Sequence, residues 1–328
     1  MSSASGPMSS ASGEHVELVR VIRSGFHEGS HFGSVVVVDA DGSVLHARGN
    51  VTAPVFPRSS SKPFQAVAML LAGAELDGAD LAISAASHSG EQMHVTRVLA
   101  MLEHVHLAEG DLGCPAALPL DEASRNEVIA AGGTARRIYM NCSGKHAGML
   151  AACVAKGWDT AGYLATDHPL QQSVQDQITR LSGEQPSAVG IDGCGAPLFA
   201  ISLTGLARAF GRVNAASPGS AEFAVSQAMR EHPEMVGGTG REDTRLMKAH
   251  PGLLVKGGAE GVHCAALRDG RAVAVKITDG GDRARMPVLI GGLRILGLDS
   301  DLLTELGTGL VLGGGRPVGT AELAPAVF

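Results

Sequence analysis

Four consecutive β-branched residues, Val35 to Val38, run into Asp41-Gly42 and then into Val44-Leu45. Apolar runs on both sides of a two-residue turn signal predict a β-hairpin over Ser34 to Ala47. A second pair of the same kind, Val262 to Leu267 and Arg271 to Ile277 across Asp269-Gly270, lies near the other end of the chain. Leu253 to Val255 reads as a further strand beside it. Between the two hairpins the periodicity is mostly helical. Strands from both ends around a helical block predict an α+β fold in which the chain ends meet in one antiparallel sheet.

The helical block begins at Lys62 to Leu71, with Pro63 in the first turn, where a missing N–H costs little. Ser59, Ser60 and Ser61 stand before it as candidate caps. Leu81 to Ala85 is a short apolar run, read here as a buried strand that ends in the polar cluster Ser87-His88-Ser89-Gly90-Glu91. Helical patterns follow over His94 to Val105, Lys145 to Lys156, Asp167 to about Leu181, Ala221 to Glu231 and Met286 to Leu296. No low-complexity linker divides the chain, so residues 19–328 are expected to form one domain. Residues 1–18 are expected to be unstructured. They repeat MSSASG at 1–6 and 8–13, a Ser/Gly/Ala composition that cannot pack a core and that suits a cloning or start-site artefact.

Charge and cysteine usage narrow the function. A net charge of -7 opposes binding to nucleic acid or to an anionic membrane. No run of eighteen apolar residues suggests a membrane span, and no charged segment followed by an apolar stretch suggests a secretory signal. A cytoplasmic protein acting on a small molecule is the expectation. The five cysteines, Cys114, Cys142, Cys153, Cys194 and Cys264, are odd in number and widely spaced, which suits free thiols or a metal site better than a disulfide framework.

Ser59 and Lys62 form a Ser-x-x-Lys at a helix start, where positions i and i+3 share a face. A serine hydroxyl needs a base, and a lysine serves once burial or a nearby cation lowers its pKa. Ser87, in the polar cluster, and Lys256, before Gly257-Gly258, offer a second pair. Each also suits an ordinary role, as a cap or a solvated strand end. The order is similar to the Ser-x-x-Lys, Ser-Asp-Asn and Lys-Thr-Gly elements of β-lactamases and penicillin-binding proteins, with the second and third altered.

Cys142 opens a helix in Asn141-Cys142-Ser143-Gly144-Lys145-His146, where free backbone N–H groups favour a thiolate. Cys194 lies in the Gly-rich loop Ile191 to Pro197. The two sulfurs can share a zinc ion with one nitrogen ligand and an open water position. Ligand chemistry alone selects His146 as that nitrogen, and two buried free cysteines are the other reading.

These segments together resemble the bacterial asparaginase family typified by the inducible rhizobial enzyme. The matching runs are Arg58 to Pro63, Ala86 to Ser89, Asn141 to Leu150, Asp167 to Pro169, Asp192 to Cys194, His232 to Val236, Gly240 to Thr244, and Lys256. The resemblance implies two Ser–Lys tandems, Ser59 with Lys62 and Ser87 with Lys256. It also implies a zinc site with Cys142, Lys145 and Cys194 at the ligand positions, which moves the nitrogen ligand from His146 to Lys145. His146 then becomes a substrate contact or a support for the site. A fold similar to serine β-lactamases and glutaminases and a homodimer are implied as well.

The expected reaction is hydrolysis of L-asparagine to L-aspartate and ammonia through an acyl-enzyme, with Ser59 as nucleophile and Lys62 as its base. Arg58 is the candidate partner of the substrate α-carboxylate, and Asp192 of its ammonium or an orienter of the zinc site; both also suit structural ion pairs, and His88 is a further candidate contact. Zinc is expected to position substrate, leaving generation of the nucleophile to the lysines. Two rivals stand beside this reading: a β-lactamase-like serine amidohydrolase of another amide, and a non-catalytic zinc-binding protein.

Overall fold

The computed structural model describes residues 15–328. The MSSASG repeat lies outside the described residues. The chain enters through three strands, β1 (Val16–Arg23), β2 (Phe26–Val38) and β3 (Val44–Arg48), then a two-residue strand, β4 (Pro54–Val55). Helices follow: α1 (Lys62–Leu71), α2 (Gly78–Ser84), α3 (Gln92–His104), α4 (Glu122–Ala130), α5 (Ser143–Lys156) and α6 (Pro169–Ser182). Strands β5 (Ala188–Ile191) and β6 (Pro197–Ser202) lead into α7 (Leu203–Asn214), α8 (Ala221–Glu231), α9 (Pro233–Val236) and α10 (Glu242–Ala249). The chain closes with β7 (Leu254–Gly257), β8 (Val262–Ala266), β9 (Ala272–Ile277), α11 (Asp282–Ile295), α12 (Asp301–Gly307), β10 (Gly309–Gly313) and β11 (Arg316–Leu323). β1 takes in Val16 to Leu18, residues that composition alone had assigned to the unstructured segment.

Both expected hairpins form, β2 with β3 around Asp41-Gly42 and β8 with β9 around Asp269-Gly270. They share one eight-stranded sheet, ordered β10-β11-β1-β2-β9-β8-β7, with β3 also paired to β2. All of its pairings are antiparallel, and the two ends of the chain meet through Val19 opposite Leu323. The α+β class expected from the order of elements is the class observed. β4, β6 and β5 make a separate three-stranded sheet.

β8 is buried at every residue and β9 at all but one. Continuous burial means that both faces of the sheet centre are covered. The sheet is therefore the middle layer of the core at this point, and α7 and α11 both pack against β9. Close approach is needed: a Cβ on Gly211 of α7 would fall 2.1 Å from the Gly270 carbonyl oxygen.

α1 is the pivot of the helical block. Eight consecutive residues from Lys62 to Met69 are buried, because α5, α6 and α8 surround it. A helix buried all round carries its polar residues into the interior, and Lys62 at its start is 1% exposed. The Leu81 to Ala85 run, read from sequence as a strand, lies largely within helix α2. Periodicity cannot separate a strand from a short buried helix over so few residues. Here Asp77 and Gly78 start the turn, and neighbouring helices bury the apolar run on all sides.

Candidate active site

Four segments converge where the helical block meets the sheet: the turn before α1, the loop after α2, the start of α5 and the end of β7. Arg58, in the short 3₁₀ turn Arg58–Ser61, has φ +50°, a conformation costly for a non-glycine residue. It is held there from two sides. Ser61 Oγ donates to its carbonyl at 2.8 Å, and its guanidinium donates to Asp192 Oδ1 at 2.9 Å. The turn leaves Ser59 half-buried on the wall of a cavity of about 170 Å³ that Ser87, Asn141, Arg241, Lys256 and Arg285 also line.

Lys62 Nζ donates to Ser87 Oγ at 3.0 Å, to Cys142 Sγ at 3.0 Å, and to the Ala86 carbonyl. Lys256 Nζ donates to the same Ser87 Oγ at 3.1 Å and to the Gly257 carbonyl at 2.6 Å. One hydroxyl thus sits between two buried amines. The Ser87–Lys256 partnership expected from sequence is present as a hydrogen bond. The Ser59–Lys62 partnership is not: the side chain of Lys62 follows its helix inward to Ala86, Ser87 and Cys142, and Ser59 faces the cavity. Spacing placed the two residues on one face, and tertiary contacts then decided where the amine goes.

Burial disfavours the Lys256 ammonium, with Lys62 and Arg241 adding repulsion, and pushes its pKa down to about 7 despite the attraction of Asp243. Lys256 is therefore able to take and return a proton near neutrality. Asp243 accepts from His263 Nε2 and from the Gly257 backbone N–H, each at 2.8 Å. Burial would raise its carboxyl, but His263, Lys256 and the Gly257 amide outweigh this and hold it far below the ordinary carboxylate range.

Cys142 caps α5, and Cys194 comes beside it from the loop between β5 and β6. Lys145 Nζ donates to Cys194 Sγ at 3.0 Å. Pairing with the Cys194 side chain, then the charges of Lys62 and Lys145, outweigh burial and hold the Cys142 thiol well below its usual range; the same pairing and burial raise Cys194. Burial works against the Lys145 ammonium, and the two sulfurs overcome it. The neighbouring His146 donates or accepts at Nδ1 with Tyr163 Oη at 2.6 Å, and its buried Nε2 has no partner. Two neighbouring cysteine sulfurs, with the Lys145 amine against Cys194, fit the zinc site that the resemblance implies: a cation would take the place of the thiol and ammonium protons. Among the described residues no group of three or more His, Cys, Asp and Glu side chains that could hold a metal occurs, so the fit depends on Lys145.

The remaining candidates separate. His88 is fully buried, stacked at 5.0 Å on His94, with Nε2 bonded to Ser143 Oγ at 2.9 Å and Nδ1 accepting from Gly90 N at 3.2 Å. Both of its nitrogens are occupied within the fold, which makes it an anchor for the Ser87 loop. Arg58 and Asp192, expected to take opposite ends of a substrate, are paired with each other. Asp192 Oδ2 also lies 3.7 Å from Cys194 Sγ. Asp243, His263, Arg241 and Arg285 reach the cavity without having been singled out. Arg241 and Asp243 fall in one of the runs that match the family, Gly240 to Thr244, but nothing local marks their direction.

The profile of the family described as L-asparaginase II matches residues 19–323. No curated protein matches the chain. Solved structures are similar only distantly. A protein of Bacteroides dorei DSM 17855, provisionally described as a β-lactamase, is 15% identical, with a TM-score of 0.45 over 80% of this chain and 92% of its own. Mglu in its native form is 12% identical, with a TM-score of 0.43 over 82% of this chain and 66% of its own. A β-lactamase from Mycobacterium bovis is 14% identical, with a TM-score of 0.35 over 81% and 94%.

Proposed function

The chain belongs to the L-asparaginase II family, and from that premise we propose that it hydrolyses L-asparagine to L-aspartate and ammonia through Ser59, Lys62, Ser87 and Lys256. One observation carries the reading: Ser87 Oγ lies between Lys62 Nζ and Lys256 Nζ beside a cavity that Ser59 also lines. Two amines on one hydroxyl form a path for protons, and the cavity of about 170 Å³ suits a ligand the size of an amino acid.

Ser59 Oγ attacks the side-chain amide carbon. Its proton passes to the lysine–serine network, with Lys62 the nearest amine in sequence and Lys256 the one poised near neutrality. Backbone N–H groups at the Ser59 turn stabilise the oxyanion, a contribution of about 10²–10³ in rate for one such donor. The network returns a proton to the nitrogen, the C–N bond breaks, and ammonia leaves an acyl-serine. Water then adds to the ester carbon, giving a proton to the network; the bond from that carbon to Ser59 Oγ breaks, Oγ takes the proton back, and L-aspartate leaves.

Zinc, when bound by Cys142, Lys145 and Cys194, would supply fixed positive charge beside the site and hold the start of α5 against the 188–197 segment. The chain's own groups carry the proton steps. Asp192, tied to Arg58, is the proposed link between that metal site and the Ser59 turn. The proposal includes the rhizobial type and a homodimer, both from the ordered motif set, and a cytoplasmic location, from the composition.

A second reading has a specific observation behind it. Ser87 has two amine partners in the structure, and Ser59 has none among Lys62's partners, so Ser87 is an alternative nucleophile. Trapping the acyl-enzyme with a reactive asparagine analogue and mapping the modified peptide by mass spectrometry decides between them. Ammonia release from asparagine and from glutamine, measured side by side with hydrolysis of a chromogenic cephalosporin, tests the substrate. Cephalosporin turnover without ammonia would overturn the asparaginase reading.

A further inference from the structure

Lys256 is the base of the proposed network, yet its side chain has no direct carboxylate hydrogen bond. Asp243 Oδ2 stands 3.9 Å from its Nζ, beyond hydrogen-bond range and within reach of the charge. The carboxylate is fixed at that distance by its other partners. Gly257, the residue after Lys256, donates its backbone N–H to the same oxygen at 2.8 Å. His263, opposite Gly257 across the β7–β8 ladder, donates to the other oxygen at 2.8 Å. A Cβ at position 257 would lie 3.2 Å from Arg285 Nη1, 3.3 Å from His263 Cε1 and 3.5 Å from Asp243 Oδ2. Glycine here lets the carboxylate, the imidazole and the lysine close on one another.

We propose that Asp243 is the positioning carboxylate of Lys256, completing a Ser87–Lys256–Asp243 relay whose geometry His263 and the Gly257 amide hold. The inference rests on the asparaginase reading. Its logic is that of a nucleophile or relay hydroxyl, a base, and a third group that orients the base and stabilises its protonated form. When Lys256 takes a proton from Ser87, the new charge forms among Lys62 from α1, Arg241 at the start of α10 and Cys142 at the start of α5. Two of these are cations. Asp243, whose own charge faces His263 as well as Lys256, is the carboxylate on the other side. Without it the ammonium forms beside two like charges with no nearby counter-charge except the more distant Cys142. Asp243 itself is bonded to neither Ser59 nor Ser87, so its link to the proton path runs through Lys256.

Asp243→Asn keeps the shape and removes the charge. The expected result is a kcat lower by about 10²-fold, the lower end of an acid–base contribution, with KM little changed. The acid limb of the kcat profile moves to lower pH by about one unit, because losing an opposite charge makes the ammonium easier to deprotonate. His263→Phe provides the opposite displacement. It removes a partner that shares the carboxylate, more of the charge falls on Lys256, and the limb moves to higher pH. A merely structural role moves neither limb. Wild-type kcat and an unmoved limb in folded Asp243→Asn overturn the inference. If that variant does not fold, an unmoved or lowered limb in His263→Phe overturns it. Ser87→Ala is the control for the reading beneath: normal turnover there sinks the relay itself, whereas loss of turnover there with a wild-type Asp243→Asn sinks only the role given to Asp243.

Discussion

Lys256 Nζ donates to Ser87 Oγ across 3.1 Å, tying the end of a sheet strand to the loop that leaves α2. The two residues are 169 positions apart, so the contact exists only because the hairpin at the far end of the chain joins the sheet begun at its start. Removing either hydroxyl of the site tests what that convergence is for. Ser59→Ala is expected to lower kcat by about 10²–10⁴-fold, with binding of asparagine retained. Ser87→Ala is expected to fall in the same range, since it interrupts the path between the two lysines. Both side chains are only half-buried, so melting temperatures should stay close to wild type. Near-normal turnover in Ser59→Ala, measured by a coupled ammonia assay, rejects Ser59 as the nucleophile.

The pH profile follows from Lys256. Burial brings its pKa down to about 7, so the amine is free above that pH and protonated below it. A base must be free to accept, and kcat/KM should therefore fall by about tenfold per unit below pH 7 and level off above it. Lys256→Met, which removes the titrating amine, should abolish that limb along with most of the activity. An activity that is flat from pH 5 to pH 8 would argue that Lys256 is not the proton acceptor.

Metal removal separates two jobs for the cysteines. If zinc positions substrate and does not generate the nucleophile, chelation should raise KM more than it lowers kcat, and added zinc should reverse the change. Cys194→Ala should lower zinc content measured by elemental analysis and leave Lys145 without its 3.0 Å sulfur partner. Complete, zinc-restorable loss of turnover with unchanged asparagine binding would contradict the positioning role.

The parts of this fold legible in sequence are those with local causes. The β2–β3 and β8–β9 hairpins follow from β-branched runs and two-residue turn signals, and α1 begins beside Pro63, but the expected serine cap does not form: Ser61 Oγ donates to the Arg58 carbonyl and Ser60 Oγ to that of Lys256. β1 and β11 carried no such signal. Their polar residues, Glu17, Arg20 and Arg23 in one and Arg316 and Glu322 in the other, blur any alternation, and their buried side chains lie under α11, which packs against both strands. Residue types and order nominate Ser59, Lys62, Ser87, Lys256, Cys142 and Cys194 as candidates, and the resemblance adds Lys145. How they are wired was not legible. Lys62 reaches Ser87 because α1 is buried on all sides, and Arg58 meets Asp192 across 134 residues, which no spacing rule anticipates. Asp243 lies in the run Gly240 to Thr244, where nothing local marks its direction, and His263 lies in no run; the register that sets Gly257 opposite His263 brings the imidazole to the Asp243 carboxylate.

The glycine after Gly257 gives the last test, one of packing rather than charge. A Cβ built on Gly258 would lie 2.8 Å from the Pro57 carbonyl oxygen, 3.0 Å from Ser60 Oγ and 3.2 Å from Ser60 N. Two of these three atoms are backbone, and they belong to the turn that carries Ser59. Ser60 Oγ is also engaged, donating to the Lys256 carbonyl at 3.0 Å, so the turn is tied directly to β7. Gly258→Ala must therefore push the Ser59 turn away from the strand that carries Lys256. Overpacking of this kind costs about 1–3 kcal/mol, and thermal unfolding should show it as a lowered melting temperature. The same displacement separates Ser59 from the lysine network, so kcat should fall at temperatures where the variant is still fully folded. A Gly258→Ala variant with wild-type stability and wild-type turnover would show that the two segments are not in contact, and the site as described would lose the joint that holds its two halves together.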